Sequence, residues 1–270
     1  MTDERLRLAA DDNLAAHAML PCRVLPRAWV ITDPALTLVD SGIPCDTFNI
    51  VCRARLDGAN AARRITHALD LYQETGHPFS WWLGPGATPA ELPELLVRAG
   101  LAAAESELAM ALDLARLPAA SPAGPDGLRV TRVRTAEDLA TFAALSAANW
   151  DPPDQSVTRF YRDTSAAFLD PASPQWLYLG WLDGAAVATA EVTVGGGVAG
   201  LYNIGTRPQY RGRRIGSVMT WAPLREAREA GLDTAILQAS EMGQGLYARL
   251  GFRPFGTITE FKPAPSGTGS

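Results

Sequence analysis

The pattern of hydrophobic and polar positions divides the chain into short apolar segments separated by turns that contain glycine, proline or aspartate. Two apolar runs flank Asp183-Gly184, a pair typical of the tight turn of a β-hairpin. Segments with helical spacing lie beside such runs, and one begins at Thr135, a good helix-capping residue. The second half therefore predicts the order β-α-(α)-β-β-β-α-β-α-β, in which the helix in parentheses is optional. The strands before the last are predicted at 128–133, 176–182, 185–194, 198–206 and 234–239, and the helices at 135–150, 216–230 and 245–250.

The first half repeats the later part of this order. Its pattern predicts strands at 46–54, 79–83 and 107–114, and helices at 59–75 and 89–99. Gly100-Leu101 follows the last helix just as Gly251-Phe252 does in the second half. We interpret the repeated order as an internal duplication, and we expect the last strand of the first half to pair across the two halves.

Residues 117–127 are rich in proline, alanine and glycine, a composition that indicates a connector. We therefore predict two α/β (α+β) domains, each a mixed sheet with helices packed against it. The predicted boundaries are a first domain at 1–117, a linker at 118–127, a second domain at 128–262 and a disordered tail at 263–270.

The composition is that of an ordinary globular protein, with 47% hydrophobic and 20% charged residues and a net charge of −5. Residues 1–127 carry ten arginines and sixteen acidic residues, so the first half is acidic. This balance argues against nucleic acid as a partner. The three cysteines and three histidines show no metal-binding or disulfide spacing, and no segment is long and apolar enough to span a membrane. We predict a cytoplasmic protein without a metal.

Chemistry is concentrated in residues 201–217, where a strand ends before Pro208 and a basic, glycine-containing turn leads into a helix. Such a turn exposes backbone N–H groups at the positive end of the helix dipole, and glycine lets an anion approach closely. Arginines add positive charge around the same point. The segment predicts a diphosphate site formed by Arg211, Gly212, Arg213, Arg214, Ile215, Gly216 and Ser217.

This turn resembles the pyrophosphate loop of the Gcn5-related N-acetyltransferase (GNAT) superfamily, R/Q-x-x-G-x-G/A. Arg211 stands at the first motif position and Gly216 at the last, while Arg214 replaces the usual middle glycine. Residues 240–252 resemble a second family element, N-x-x-A-x-x-L-Y-x-x-x-G-F, with Ser240 at the asparagine position. The resemblance covers residues 128–261 and, with the repeated order of the first half, indicates a tandem GNAT protein.

The resemblance implies a mostly antiparallel, twisted sheet in each half, with a splayed strand pair in the second half that admits acetyl-CoA or another acyl-CoA. Ile204, Gly205 and Thr206 would then pair with the pantetheine arm, and Ser240 would lie beside the coenzyme. Tyr247 takes the position of the general acid that protonates the departing thiolate. The acceptor amine attacks directly, so no protein nucleophile is required.

A base must deprotonate the acceptor, because an alkylammonium group cannot attack. Glu191 and Asp151 are the candidates, and the loop at Trp150-Asp151 is expected to contact the substrate. Of the pair Trp81-Trp82, we expect one side chain in the core and the other at a surface or interface.

The first half has no such loop, because residues 53–58 contain one glycine and an aspartate that would repel phosphate. We expect this half to be degenerate, to pack against the catalytic half and to wall the acceptor site. The predicted function is acyl transfer from acyl-CoA to a primary amine of a small, cationic molecule by a monomer or homodimer. Two alternatives remain open: a GNAT-fold transferase that uses aminoacyl-tRNA or another donor, and a non-catalytic CoA-sensing protein.

Overall fold

A computed structural model describes residues 1–264. Over this range the chain forms one eleven-stranded sheet in the order β1-β2-β3-β4-β11-β5-β10-β9-β8-β7-β6. Neighbouring strands are antiparallel except in the pairs β3–β4 and β9–β10, which are parallel. The strands are β1 (Trp29–Thr32), β2 (Thr37–Asp40), β3 (Ile50–Cys52), β4 (Ser80–Leu83), β5 (Leu101–Asp113), β6 (Arg129–Arg132), β7 (Gln175–Leu182), β8 (Ala185–Gly195), β9 (Val198–Thr206), β10 (Thr234–Ala239) and β11 (Arg253–Pro263).

Eight α-helices lie against this sheet in the described part of the chain. They are α1 (Asp3–Cys22), α2 (Ala61–Thr75), α3 (Leu92–Arg98), α4 (Ala136–Ala147), α5 (Gln155–Asp163), α6 (Ser165–Leu169), α7 (Ile215–Glu229) and α8 (Glu241–Arg249). None of the helices described here is long and apolar enough to cross a membrane.

The two halves exchange their last strands. β5, from the first half, pairs with β10 from Thr234↔Asp113 to Ala239↔Leu108, and β11, from the second half, pairs with β4. β5 and β11 also pair with each other at the centre of the sheet. The expected pairing of the first half's last strand across the halves is therefore confirmed, and each half completes the sheet of the other.

One hydrophobic core belongs to both halves. It joins Leu14 and Ala18 of α1 to Ile50 of β3, and these to Phe142 of α4 and Leu177 of β7. Burial of apolar surface is the main driving force of folding, so this shared core and the exchanged strands bind the halves into a single unit. The core also places α1 directly beneath β8 and β9.

Most predicted elements are present, with shifted ends. The helix predicted at 135–150 ends at Ala147, and its predicted cap is formed, because Thr135 Oγ1 accepts a hydrogen bond from the Asp138 N–H at 3.1 Å. The strands at 198–206 and 234–239 have the predicted bounds. The last helix begins at Glu241, a full turn earlier than predicted.

The sequence pattern did not predict α1, β1 or β2. In α1 the buried positions include Asp11 and Asn13 as well as alanine and leucine, so the helix lacks a clean apolar stripe. The disordered tail predicted at 263–270 is wrong for its first two residues: Pro263 pairs with Leu101, and the Ala264 N–H donates to the Gly100 carbonyl at 2.9 Å. Residues 265–270 lie outside the described part of the chain.

Candidate functional site

The parallel strands β9 and β10 separate partway along their length. They pair only from Ala199↔Ala235 to Leu201↔Leu237, and β9 then continues to Thr206 away from β10. In the described part of the chain, β9 is therefore not paired with β10 from Tyr202 to Thr206, which includes Ile204 and Gly205. An unpaired strand edge offers backbone donors and acceptors to an extended ligand.

A β-bulge in β9 marks the point of separation. The β8–β9 register shifts between Thr189↔Gly205 and Glu191↔Tyr202, and Asn203 adopts a left-handed backbone with φ of 49°. Bulges re-aim side chains, and here Asn203 Nδ2 donates to Glu191 Oε2 at 2.8 Å. The bulge thus places a hydrogen bond between the opening of β9 from β10 and the Glu191 carboxylate.

The basic turn lies just beyond the end of β9. A 3₁₀ turn at Pro208–Tyr210 leads to Gly212 and Arg214, both in the left-handed region with φ of 75° and 62°, and α7 begins at Ile215. Arg211 Nε donates to the Thr206 carbonyl at 3.1 Å. Arg211, Arg213 and Arg214 are exposed, whereas the Ile215 side chain is buried.

The backbone of this turn is arranged for an anion. Within residues 1–264, no protein group accepts a hydrogen bond from the N–H groups of residues 212–217. These donors lie at and just before the N-terminus of a 15-residue helix, whose dipole favours negative charge. The group of residues predicted to bind a diphosphate therefore has the donors, the charge and the access that this chemistry needs.

Tyr247, on α8, lines the opening between β9 and β10 together with Ile204, Gln238, Ser240 and Glu107. Burial, with a smaller contribution from the Glu107 charge, raises the pKa of Tyr247 to about 12. The phenol is therefore protonated at neutral pH and is able to donate a proton. Burial beside Glu105 and Glu260 raises the pKa of Glu107 itself to about 7.

Glu191, on β8, is almost fully buried at 1% exposure. Its Oε2 accepts from Asn203, and its Oε1 lies 3.1 Å from His17 Nδ1 and 3.3 Å from Thr193 Oγ1. The carboxylate is therefore held by side chains on both α1 and the sheet. Glu191 lines a cavity together with Trp150, Tyr161 and His17, but both of its oxygens are already engaged by neighbouring side chains of α1 and the sheet.

A cleft between the halves adjoins both the opening between β9 and β10 and the cavity beside Glu191. Trp150, 45% exposed, lines it, whereas Asp151 is exposed and does not line it. Of the tryptophan pair, Trp81 is fully buried and Trp82 lines the cleft, as expected for one core side chain and one interface side chain. The remaining lining residues are Leu14, His17, Asp46, Thr47, Ile50, Tyr202, Gln238, Glu105, Glu260 and Lys262.

Sequence reasoning missed His17, Glu107, Asn203 and Lys262. The sequence around His17 shows no metal-binding spacing, and residues 1–264 contain no group of three or more His, Cys, Asp or Glu side chains arranged for a metal. No local signal marks the others, because each acts across strands that are far apart in sequence. The asparagine within the strand at 198–206 is a weak signal, since asparagine is depleted in strands and tolerates a left-handed backbone.

In the first half, helix α1 packs against the segments after β3 and β4. Arg55, after β3, donates to the Leu8 carbonyl at 2.8 Å and to Asp12 Oδ1 at 2.9 Å. Asp11, 2% exposed, packs against Gly84 and Gly86 beyond β4. Residues of α1 thus contact the segments that follow β3 and β4 in the first half.

A family model and a curated relative both match this chain, and both describe acetyltransferases. A model of the acetyltransferase (GNAT) domain matches residues 119–239. A mycothiol acetyltransferase of Streptomyces avermitilis is 30% identical over 257 residues, which cover 92% of this chain and 75% of the relative.

Two solved structures share the whole fold. A GCN5-related N-acetyltransferase from Kribbella flavida has a TM-score of 0.69 at 19% identity, covering 94% of this chain and 96% of that chain. A tandem GNAT protein from the clavulanic acid biosynthesis pathway has a TM-score of 0.60 at 16% identity, covering 96% and 98%. With the relative from Streptomyces, the matched domain and the separated strands, these likenesses lead to one conclusion: the chain belongs to the GNAT acetyltransferase family and is an enzyme of acyl transfer.

Proposed function

We propose that the protein transfers an acetyl group from acetyl-CoA to a primary amine of a small molecule. The observation that carries the proposal is the alignment of three features along β9: the open N–H groups of residues 212–217, the unpaired edge at Tyr202 to Thr206, and Tyr247 at the opening. Together they provide a diphosphate site, a strand-like surface for an extended arm and a proton donor.

Each group has a distinct part in this reaction. The turn at 212–217 and its arginines would hold the diphosphate, and the edge of β9 would pair with the amide-containing arm. A backbone N–H at Ile204 or Gly205 would polarise the thioester carbonyl as negative charge develops on its oxygen. Tyr247, which is protonated at neutral pH, would donate its proton to the departing sulfur.

The negative charges that line the cleft between the halves favour a cationic acceptor. Asp46, Glu105 and Glu260 line it, and Lys262, the cation among these neighbours, already pairs with Asp46 at 2.8 Å and Glu260 at 3.3 Å. The excess of carboxylates favours an amine-bearing ligand. The name of the Streptomyces relative supports a small-molecule acceptor for this chain as well.

We further propose that one chain binds one acetyl-CoA. The turn after β3 in the first half is filled by Asp12 and the Leu8 carbonyl, which bind Arg55. An incoming diphosphate would have to displace both, and it would meet the negative charge of Asp12.

Native mass spectrometry of the protein titrated with acetyl-CoA tests the binding part of this proposal. We expect one bound acetyl-CoA, lost in Gly212→Asp because the new carboxylate lies among the phosphate-binding N–H groups. Gly231→Asp is the matched control: both glycines have positive φ, 75° and 89°, and neither has a neighbour within 4 Å of an added Cβ. Equal loss of binding in both variants would contradict the assigned site.

The catalytic part of the proposal is tested by measuring the release of free CoA thiol from acetyl-CoA. The acceptors tried are spermidine, kanamycin and the acceptor of the Streptomyces relative. We expect turnover by the wild type and a loss of roughly 10²-fold or more in kcat for Tyr247→Phe, within the range of general acid catalysis. Binding of acetyl-CoA without any turnover would instead favour a CoA-sensing protein. Absence of binding would overturn the proposal and favour another donor, such as aminoacyl-tRNA.

A further inference from the structure

His17 connects the first half of the chain to the buried carboxylate of the second. Its Nδ1 lies 3.1 Å from Glu191 Oε1 and 3.2 Å from Thr193 Oγ1. The imidazole ring stacks on Tyr202 of β9, with 3.9 Å between ring centroids and an interplanar angle of 7°. A ring held on one face by an aromatic neighbour and at one nitrogen by a carboxylate has a fixed orientation.

The other ring nitrogen is available. No side chain or backbone group within residues 1–264 forms a hydrogen bond with His17 Nε2, and the His17 side chain is 22% exposed. The ring lines both the Glu191 cavity and the cleft between the halves. Glu191, by contrast, is 1% exposed and has both oxygens engaged by neighbours. The imidazole, and not the carboxylate, therefore presents a free acceptor atom to a ligand in the cleft.

We propose that His17 is the catalytic base of the acetyl transfer and that Glu191 is its positioning residue. The proposal rests on the function proposed above. The Nδ1–H donates to Glu191, which leaves the lone pair on Nε2 to take up a proton. The first half of the chain then supplies a group to the reacting centre, in addition to a wall of the acceptor cleft.

The proton balance of the step is complete with the groups present. A cationic acceptor first releases one proton to water through His17 Nε2. The neutral amine nitrogen then forms a bond to the acetyl carbon, the carbon–sulfur bond breaks, and the electron pair of that bond leaves with sulfur. His17 Nε2 accepts the proton that the nitrogen loses, and Tyr247 gives its proton to sulfur. Exchange with water then restores both residues, so that one amine proton has moved in effect to the thiol.

The chain offers a matched control. His77 Nδ1 lies 3.0 Å from Asp40 Oδ2, and the two side chains are 25% and 1% exposed, nearly the values of His17 and Glu191. His77 lines neither the Glu191 cavity nor the cleft. Replacing either histidine removes the same kind of hydrogen-bonding partner of a buried carboxylate, but only His17 lines the cleft proposed for the acceptor.

The test measures kcat, KM and acetyl-CoA binding for His17→Ala and His77→Ala, with spermidine or kanamycin as acceptor, whichever the wild type turns over faster. We expect His17→Ala to lose roughly 10²-fold or more in kcat with unchanged acetyl-CoA binding. Added imidazole should restore part of the rate, which a merely structural role would not allow. His77→Ala should keep the wild-type rate and gain nothing from imidazole.

Two further variants secure the interpretation. His17→Gln keeps a hydrogen-bonding group beside Glu191, so it should fold even if His17→Ala does not, and it should show the same loss in kcat. If His17 and Glu191 act as a unit, His17→Ala/Glu191→Gln should be no slower than the slower single variant.

A folded His17→Ala or His17→Gln variant that keeps kcat within about threefold of the wild type would overturn the inference while the proposed function stands. A folded His17→Ala variant that imidazole does not rescue would do the same. Wild-type protein that transfers no acetyl group to any amine would overturn both.

Discussion

At the scale of single residues, the least expected feature is a buried carboxyl group without a hydrogen-bonding partner. Both side-chain oxygens of Asp11 are buried and form no hydrogen bond of normal geometry within residues 1–264, although the Gly86 N–H, Arg55 and Asp12 lie nearby. Burial, the largest influence, raises the pKa of Asp11 to about 7, while the Arg55 charge opposes the shift. The folded protein therefore favours the protonated carboxyl, whereas the unfolded chain releases its proton near pH 4.

This difference predicts a pH-dependent stability. As the pH rises from about 4 to about 7 the unfolded state becomes charged first, so the free energy of unfolding falls, by at most about 1.4 kcal/mol per pH unit for this group. Asp11→Asn should remove this dependence and raise the stability relative to the wild type above pH 7. Urea unfolding of both proteins at pH 5 and pH 8 measures it.

Glu107, whose pKa is also raised to about 7, is present in both proteins, so the difference between the two curves isolates Asp11. Parallel pH dependences for the wild type and Asp11→Asn would show that Asp11 is ionised in the folded protein.

At the scale of elements, the turn into α7 keeps a left-handed backbone at Arg214, where the family motif usually has glycine. Its φ of 62° and ψ of 13° cost a non-glycine residue about 1 kcal/mol or more. The charge beside the predicted diphosphate offsets this cost only when a ligand is bound. The turn into α7 is thus less stable with Arg214 than it would be with glycine, and the arginine charge is available for ligand binding.

Arg214→Gly should therefore raise the free energy of unfolding by up to about 1 kcal/mol while weakening acetyl-CoA binding several-fold. Arg213→Gly removes an equivalent charge at a position without positive φ, so it should weaken binding without stabilising the protein. Thermal unfolding and isothermal titration calorimetry measure the two effects. Stabilisation by both variants, or by neither, would show that backbone strain at Arg214 is not the cause.

Helix α1 shows how an element without a clean apolar stripe is positioned. Asn13, fully buried, donates to the carbonyls of Thr193 and Gly195 at 2.9 and 3.0 Å and accepts from the Tyr202 hydroxyl at 2.8 Å. A Cβ on Gly200 would overlap Asn13, so this glycine permits the close approach of the helix. These contacts set the position of His17 one turn further along.

At the scale of the whole molecule, the exchange of β5 and β11 makes the two halves interdependent. We predict a single cooperative unfolding transition. Leu96→Ala, in the first half, and Leu179→Ala, in the second, remove side chains that are fully buried, and each should lower the free energy of unfolding by about 2–5 kcal/mol. In both variants the complete transition should shift, whether followed by tryptophan fluorescence or by circular dichroism. Separate transitions for the two halves would contradict the prediction.

The sequence by itself determined the local features. The turn at 211–217, the strand at 198–206 and the helix cap at Thr135 follow from glycine, proline, arginine and apolar residues within a few positions of one another. The repeated order of elements and the family resemblance follow from the same short-range patterns. The role proposed for Tyr247 also comes from such a pattern, and the structure places this residue at the opening between β9 and β10.

Only the tertiary structure decided which distant residues share the site. His17 and Thr193 lie 176 positions apart in the chain, yet they are in contact because α1 packs beneath β8. Glu107 faces Tyr247 because β5 has crossed into the other half's sheet. The physical reason is that the position of a side chain across the core depends on how sheets and helices pack together. Hydrophobic periodicity reports which face of an element is buried, but not which element covers it.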